Sequence, residues 1–240
     1  MEKEEFYKKM REKAKEIHID LSVEQMDKFY RYMDLLIEWN QKINLTAITE
    51  PEEIILKHFI DSLTILKYLK RNEKIVDMGT GAGFPGIPLS IVCNENKITL
   101  VDSLNKRLVF LQEVIKQLDL KNVETIHARA EDFGQNKTYR EQFDIATSRA
   151  VANLATLSEY LLPLVKIGGK CICMKASDIE QEVQDAKKAI DVLGGTIHQI
   201  EKFTLPQSDI GRTIIMINKT KITPGKYPRK AGMPSKEPIK

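Results

Sequence analysis

From Lys74 onward the chain alternates short β-branched runs with amphipathic segments, a rhythm that few folds accommodate besides a parallel sheet wrapped in helices. The spacing predicts strands at Lys74–Met78, Lys97–Val101, Val123–His127, Phe143–Thr147 and Lys170–Met174. Helices fit between them, notably Lys106–Leu118 and Asn153–Leu162, with a further one at Asp178–Leu193. Gly168-Gly169 and Gly194-Gly195 read as turns into the late strands. Two last runs, Thr196–Phe203 and Thr213–Asn218, are joined by a loop with Pro206 and Gly211 that leaves no room for a crossover helix, so they should pair antiparallel.

Five helix-linked strands followed by a hairpin resemble the seven-stranded, mostly parallel, Rossmann-like sheet of class I methyltransferases. Ahead of them residues 1–70 read as a helical cap. Ser22 and Gln25 form a capping box before Met26, Phe29, Tyr30, Met33 and Ile37, and Pro51 opens a second helix carrying Ile54, Ile55, Phe59, Leu63 and Leu66. Residues 71–218 form the α/β core. Residues 219–240 carry seven Lys or Arg against the single Glu237 and are broken by four prolines, which predicts a flexible basic tail.

At 240 residues and 42% hydrophobic the chain can bury a sizeable core, and its net charge of only +3 gives no general polycation argument. Nucleic-acid contacts would depend on placement: the tail, together with Lys106, Arg107, Arg129 and Arg149 near strand ends, is expected to grip phosphate. Cys93, Cys171 and Cys173 include no CxxC pair and read as buried thiols; no metal site is expected. The absence of any signal-like or bilayer-length apolar run points to a cytoplasmic protein without a membrane partner.

The first core strand runs into Gly79-Thr80-Gly81-Ala82-Gly83-Phe84-Pro85-Gly86, and Ile87–Val92 can begin a helix. Strand, glycine loop and helix suit a nucleotide-like ligand, because glycine lets the ligand approach the backbone and the helix start offers N–H donors. The same loop fits a dinucleotide. Asp77, at the end of the strand, favours a cationic methionine moiety over a pyrophosphate, since charge sign is worth a few kcal/mol at about 4 Å. Asp102 ends the next strand, where a carboxylate can accept both ribose hydroxyls, and Ala130-Glu131 follow the third, where an adenine edge could be read. The loop and strand ends thus offer Asp77, Gly79, Gly81, Asp102, Ala130 and Glu131, with S-adenosyl-L-methionine as the expected cofactor, while Phe84 could pack beneath the loop.

The run Ile75 to Leu89, Trp39-Asn40-Gln41-Lys42-Ile43-Asn44-Leu45-Thr46, His58-Phe59-Ile60-Asp61-Ser62-Leu63 and Ser148-Arg149-Ala150 together resemble the ribosomal RNA small subunit methyltransferase G family, over about Trp39 to Asn218. The resemblance implies methylation of N7 of one guanosine in 16S ribosomal RNA, in the small ribosomal subunit or an assembly intermediate, with cofactor contacts at Gly79, Phe84, Ala130, Glu131 and Arg149. Arg149 could hold the methionine carboxylate or an RNA phosphate, a positioning role; no catalytic residue is certain. No Asn-Pro-Pro-Tyr motif follows the fourth strand and no Pro-Cys exists, which disfavours exocyclic-amine and base-carbon chemistry. His58, Asp61 and Ser62 read as a structural hydrogen-bond cluster, and Trp39 as a cap anchor or a base-stacking residue. The alternatives are an NAD-dependent oxidoreductase using the same loop, and a ribosome-binding module without catalysis.

Overall fold

The computed structural model describes residues 1–149, 151–177 and 179–239. Ala150, in the Ser148-Arg149-Ala150 motif, Asp178, the expected start of the last long helix, and Lys240 lie outside the described residues.

The N-terminal third is helical: α1 (Lys3–Glu16), α2 (Val23–Ile43), then a continuous run of α3 (Pro51–Ile54), a π-helical turn (Ile55–Ile60) and α4 (Asp61–Leu63). Ser22 starts α2 with the anticipated capping box, its hydroxyl accepting the Gln25 N–H at 3.2 Å while the Gln25 side chain accepts the Ser22 N–H at 2.9 Å. The buried face of α2 is wider than the expected stripe. Tyr32, Leu35 and Leu36 are buried where Tyr30 and Ile37 are only half-covered, because α2 packs against α1, α5 and α6 together.

The core alternates β1 (Lys74–Met78), α5 (Gly86–Val92), β2 (Lys97–Asp102), α6 (Asn105–Gln117), β3 (Val123–His127), α7 (Ala130–Gln135), β4 (Phe143–Arg149), α8 (Leu154–Leu161), β5 (Val165–Ala176), α9 (Glu180–Val192), β6 (Gly195–Thr204) and β7 (Gly211–Lys219), and α10 (Met233–Lys236) follows. The sheet order is β3-β2-β1-β4-β5-β7-β6, with β7 antiparallel to both β5 and β6 and the remaining pairs parallel. Gly168-Gly169 do not precede β5 as a turn. They lie inside it, where its register with β4 jumps from Val165 to Lys170.

Alternation along the strands splits the core in two. Ile75, Leu100, Ile145, Ile172 and Met216 face one layer shared with the cap, α5 and α6, whereas Val76, Val101, Ala146, Cys171, Cys173 and Ile217 face α7, α8 and α9. The cap therefore completes one face of the sheet. Trp39 rests at that junction, half-buried, 5.7 Å ring to ring from Phe110 of α6.

The segment expected to be a flexible basic tail is hydrogen-bonded to the core at several points. Lys219 is buried and donates to the Leu162 carbonyl at 2.6 Å, with the Glu141 carboxylate 3.2 Å away. Arg140 binds the Thr223 and Tyr227 carbonyls, Gln135 that of Pro228, and Thr156 that of Pro234. Arg229 grips the fully buried Glu159 through its own N–H at 2.7 Å and its guanidinium at 2.7 to 3.2 Å. Proline removes ladder donors without removing carbonyls, and here the carbonyls find side-chain donors. Among the described residues no helix is long and apolar enough to cross a membrane.

Candidate active site

The sheet order reverses between β1 and β4, and ligands of open α/β sheets bind outside the carboxyl ends of strands at such a point. The loop after β1 passes there in left-handed backbone at Gly79, Gly81 and Gly83, with φ of 70°, 63° and 102°. It is moored to β2: Gly79 and Thr80 donate N–H bonds to the Val101 carbonyl at 2.8 and 3.1 Å, and Gly81 donates to Asp102 Oδ2 at 2.9 Å.

Asp77 is turned into this loop and does not face open space. Fully buried, its Oδ2 accepts the Thr80 hydroxyl at 2.7 Å and the Gly86 N–H at 2.9 Å, while Oδ1 has no partner. Only glycine fits at 86, since a Cβ there would lie 2.2 Å from Leu100 Cδ2 and 2.9 Å from that carboxylate oxygen. Burial pushes the Asp77 carboxyl up to about 6, against the opposing pull of the Thr80 and Gly86 bonds and the Arg149 charge.

A cavity of 330 Å³ opens beside the loop, lined by Met78, Gly79, Val101, Asp102, Ala130, Glu131, Val151, Tyr160 and Gly232 among others. Its volume falls in the range of small-molecule sites. Five of the expected residues meet here or on its rim: Gly79, Gly81, Asp102, Ala130 and Glu131. Asp102 is held by Gly81, the Leu104 N–H and Arg107, so Arg107 is an internal partner and not a free phosphate contact. Glu131 accepts the Gly232 N–H at 2.8 Å and the Tyr160 hydroxyl at 3.4 Å.

Phe84 and Arg149 belong to a different group. Phe84 is buried beneath the loop among Tyr32, Phe59 and His58, whose ring stacks on it at 4.3 Å, and the Arg149 guanidinium lies 4.9 Å from its centroid. Arg149 donates to the Lys57 carbonyl at 2.9 Å, to Asp61 at 3.2 Å and to His58 Nδ1 at 3.1 Å. Because arginine can only donate, His58 must accept at Nδ1 and carry its proton on Nε2, toward the Thr46 hydroxyl at 2.9 Å. Burial, with the Arg149 charge, pushes His58 down to about 3, so it is neutral. Asp61 also receives Arg212 at 3.1 Å, and these groups line a second cavity of 750 Å³ with Lys57, Asn153, Lys175 and Ser177. Ser62 bonds only backward, to the His58 carbonyl. The sequence reading missed Arg212, Tyr32, Tyr160 and Gly232; only the β5–β7 register, pairing Ala176 with Arg212, carries Arg212 to this edge. Among the described residues no cluster of His, Cys, Asp and Glu is placed to hold a metal ion.

Solved structures share this architecture. A SAM-dependent methyltransferase from Aquifex aeolicus superposes with a TM-score of 0.52 over 70% of this chain and 93% of that one, at 18% identity. A mutant of MtNAS in complex with S-adenosylmethionine gives 0.55 over 82% and 76%, at 17% identity. Sheet order, terminal hairpin and the glycine loop at the switch point thus define a class I methyltransferase fold. The model of the rRNA small subunit methyltransferase G family matches residues 25–210. Proteins named ribosomal RNA small subunit methyltransferase G are 56% identical in Acetivibrio thermocellus, covering 92% of this chain and 91% of that one, and 51% identical in Oceanobacillus iheyensis over the full length of both. The chain belongs to the rRNA small subunit methyltransferase G family.

Proposed function

We propose that this protein transfers a methyl group from S-adenosyl-L-methionine to N7 of a guanosine in 16S ribosomal RNA, within the small subunit or its assembly intermediates, in the cytoplasm. The observation that carries the reading is the acid-lined cavity at the β1, β2 and β3 ends, in a chain of this family. The residues fit the cofactor. Asp102, which accepts from Gly81, Leu104 and Arg107, retains one lone-pair site for a ribose hydroxyl, Ala130 and Glu131 on the cavity wall would read the adenine edge, and Gly79 and Gly81 would let the ligand approach the backbone.

When bound, S-adenosylmethionine supplies a methyl group on a positively charged sulfur, already activated for in-line displacement. The protein's share is alignment. Asp77 acts by fixing the loop and by its charge, Phe84 as the loop's apolar floor, and Arg149 as a strut joining β4 to the π-helical turn. Guanine N7 presents a free lone pair and needs no general base. His58, with both ring nitrogens engaged and its pKa near 3, is not offered as one. The oxidoreductase alternative draws no support from the family, and the non-catalytic one is removed by a single positive assay.

The assay incubates the protein with labelled S-adenosylmethionine and with 16S RNA or small subunits lacking native methylation. Label at one guanosine, with strand scission there after borohydride and aniline, is expected, because N7-methylation leaves a fixed positive charge on the imidazole ring. Label without scission overturns the N7 assignment; no label on either substrate overturns the reading.

A further inference from the structure

The segment that follows β7 ends against the cofactor cavity, beyond the residues 25–210 that the family model matches. Gly232 lines that cavity, and its N–H occupies Glu131 Oε1 at 2.8 Å. Tyr160 reaches the same oxygen at 3.4 Å and holds Ser235 Oγ at 2.9 Å, so one hydroxyl bridges the acid and the segment. Immediately before it on α8, Glu159 is fully buried and takes four bonds from Arg229, three residues ahead of Gly232. Glu131 Oε2 takes no hydrogen bond from the described residues and keeps its accepting capacity.

We propose that residues 223–239 form a strap that is a working part of the cofactor site: Arg229 and Glu159 latch it, and Gly232 and Tyr160 fix the carboxylate of Glu131 for the adenosine end of S-adenosylmethionine. The inference rests on the functional reading above. It assigns Tyr160, Glu159, Arg229 and Gly232 as positioning residues, acting through Glu131. An unfixed carboxylate would have to be ordered by the ligand itself, and that entropy would be lost from affinity.

Two variants test it. Truncation after Lys230 removes Gly232 and Ser235 but leaves the Arg229–Glu159 latch, and Tyr160→Phe in the full chain removes only the bridging hydroxyl. Loss of one hydrogen bond to a charged group predicts a roughly tenfold weaker Kd for S-adenosylhomocysteine in the truncated protein, and a smaller loss in Tyr160→Phe. Methylthioadenosine, which keeps the adenosine end and lacks the amino-acid end, should lose the same factor. The KM for S-adenosylmethionine should rise in step, while kcat at saturation and the KM for RNA stay within about twofold. Unchanged cofactor affinity in the folded truncated protein, or a loss of RNA affinity in its place, overturns the proposal. If truncation unfolds the chain, unchanged affinity in Tyr160→Phe overturns it alone. Failure of the unaltered protein to bind S-adenosylhomocysteine would instead overturn the functional reading.

Discussion

The two ends of this chain are both docked on the α/β core, but in different balance, since among the described residues the strap adds only Tyr227 and a few partners such as Ile239 to the apolar core. The N-terminal cap is fastened by apolar area: Phe6, Phe29, Tyr32 and Phe59 form a buried aromatic cluster continuous with one face of the sheet. The C-terminal strap is fastened by polar groups, with side chains of α7, α8 and the α7–β4 connection holding its carbonyls and one buried carboxylate holding its arginine. Hydrophobic fastening is non-directional and leaves a periodic trace in sequence; hydrogen-bonded fastening is directional and depends on partners brought near only by the fold. The first is legible in advance, and the second is not.

The largest effect separating the two ends should come from Phe59→Ala. Removing a fully buried ring from the cap core should cost about 3 to 5 kcal/mol, read from urea unfolding. Arg229→Ala should cost somewhat less, about 2 to 3 kcal/mol, because the buried Glu159 carboxylate loses its counter-charge and three side-chain bonds but keeps the backbone N–H of residue 229, and the arginine itself is partly exposed. Were the strap a solvated passenger, that change would be silent. Arg229→Lys should recover only part of the loss, since the two-oxygen grip needs a guanidinium.

A subtler contrast lies in pH. Asp77, raised to about 6 in the folded chain, binds a proton the unfolded chain has released, so its contribution to stability falls as pH rises from about 4 to 6. His58, lowered to about 3, refuses a proton the unfolded chain takes up below its usual 6.5, so its contribution rises over the same window. The two oppose each other. Asp77→Asn should unmask His58, adding up to about 1.4 kcal/mol per pH unit of acid destabilisation between pH 4 and 6. Denaturant midpoints followed across that range would show no added slope if the two groups were not so placed.

The smallest effect concerns the strap's exposed cations. Of the cations expected to grip phosphate, Lys219 and Arg229 are engaged internally, and so are Arg107 and Arg149, which leaves, among the described residues, Lys226, Lys230 and Lys236 with Lys106 and Arg129 facing solvent, and Lys221 exposed 3.6 Å from Asp191. Replacing Lys226 and Lys230 by alanine should flatten the logarithmic salt dependence of RNA binding by about 1.4 in slope, at 0.7 per single-strand phosphate contact. An unchanged slope would put both lysines off the RNA path.

What could be read in advance follows the same division. The seven strands, the capping box at Ser22 and the acids at strand ends are local patterns, and each reappears in the fold. Arg212 comes to the crevice edge only through the β5–β7 register, Gly232 only through the return of the strap, and Tyr160 through the packing of α8 beside α7, relations no local window contains. Asp77 was visible as an acid but not as a buried one, because its orientation depends on Thr80 and Gly86 closing over it.

The single tryptophan acquires a use from its place. Trp39 sits where α2 meets α6, its indole against Phe110 and under the Lys42 ammonium. Its emission is a private channel for the junction between cap and sheet, untouched by changes at the strap on the opposite layer. Excited at the red edge of indole absorption, where the seven tyrosines are dark, the protein reports the undocking of one end without interference from the other.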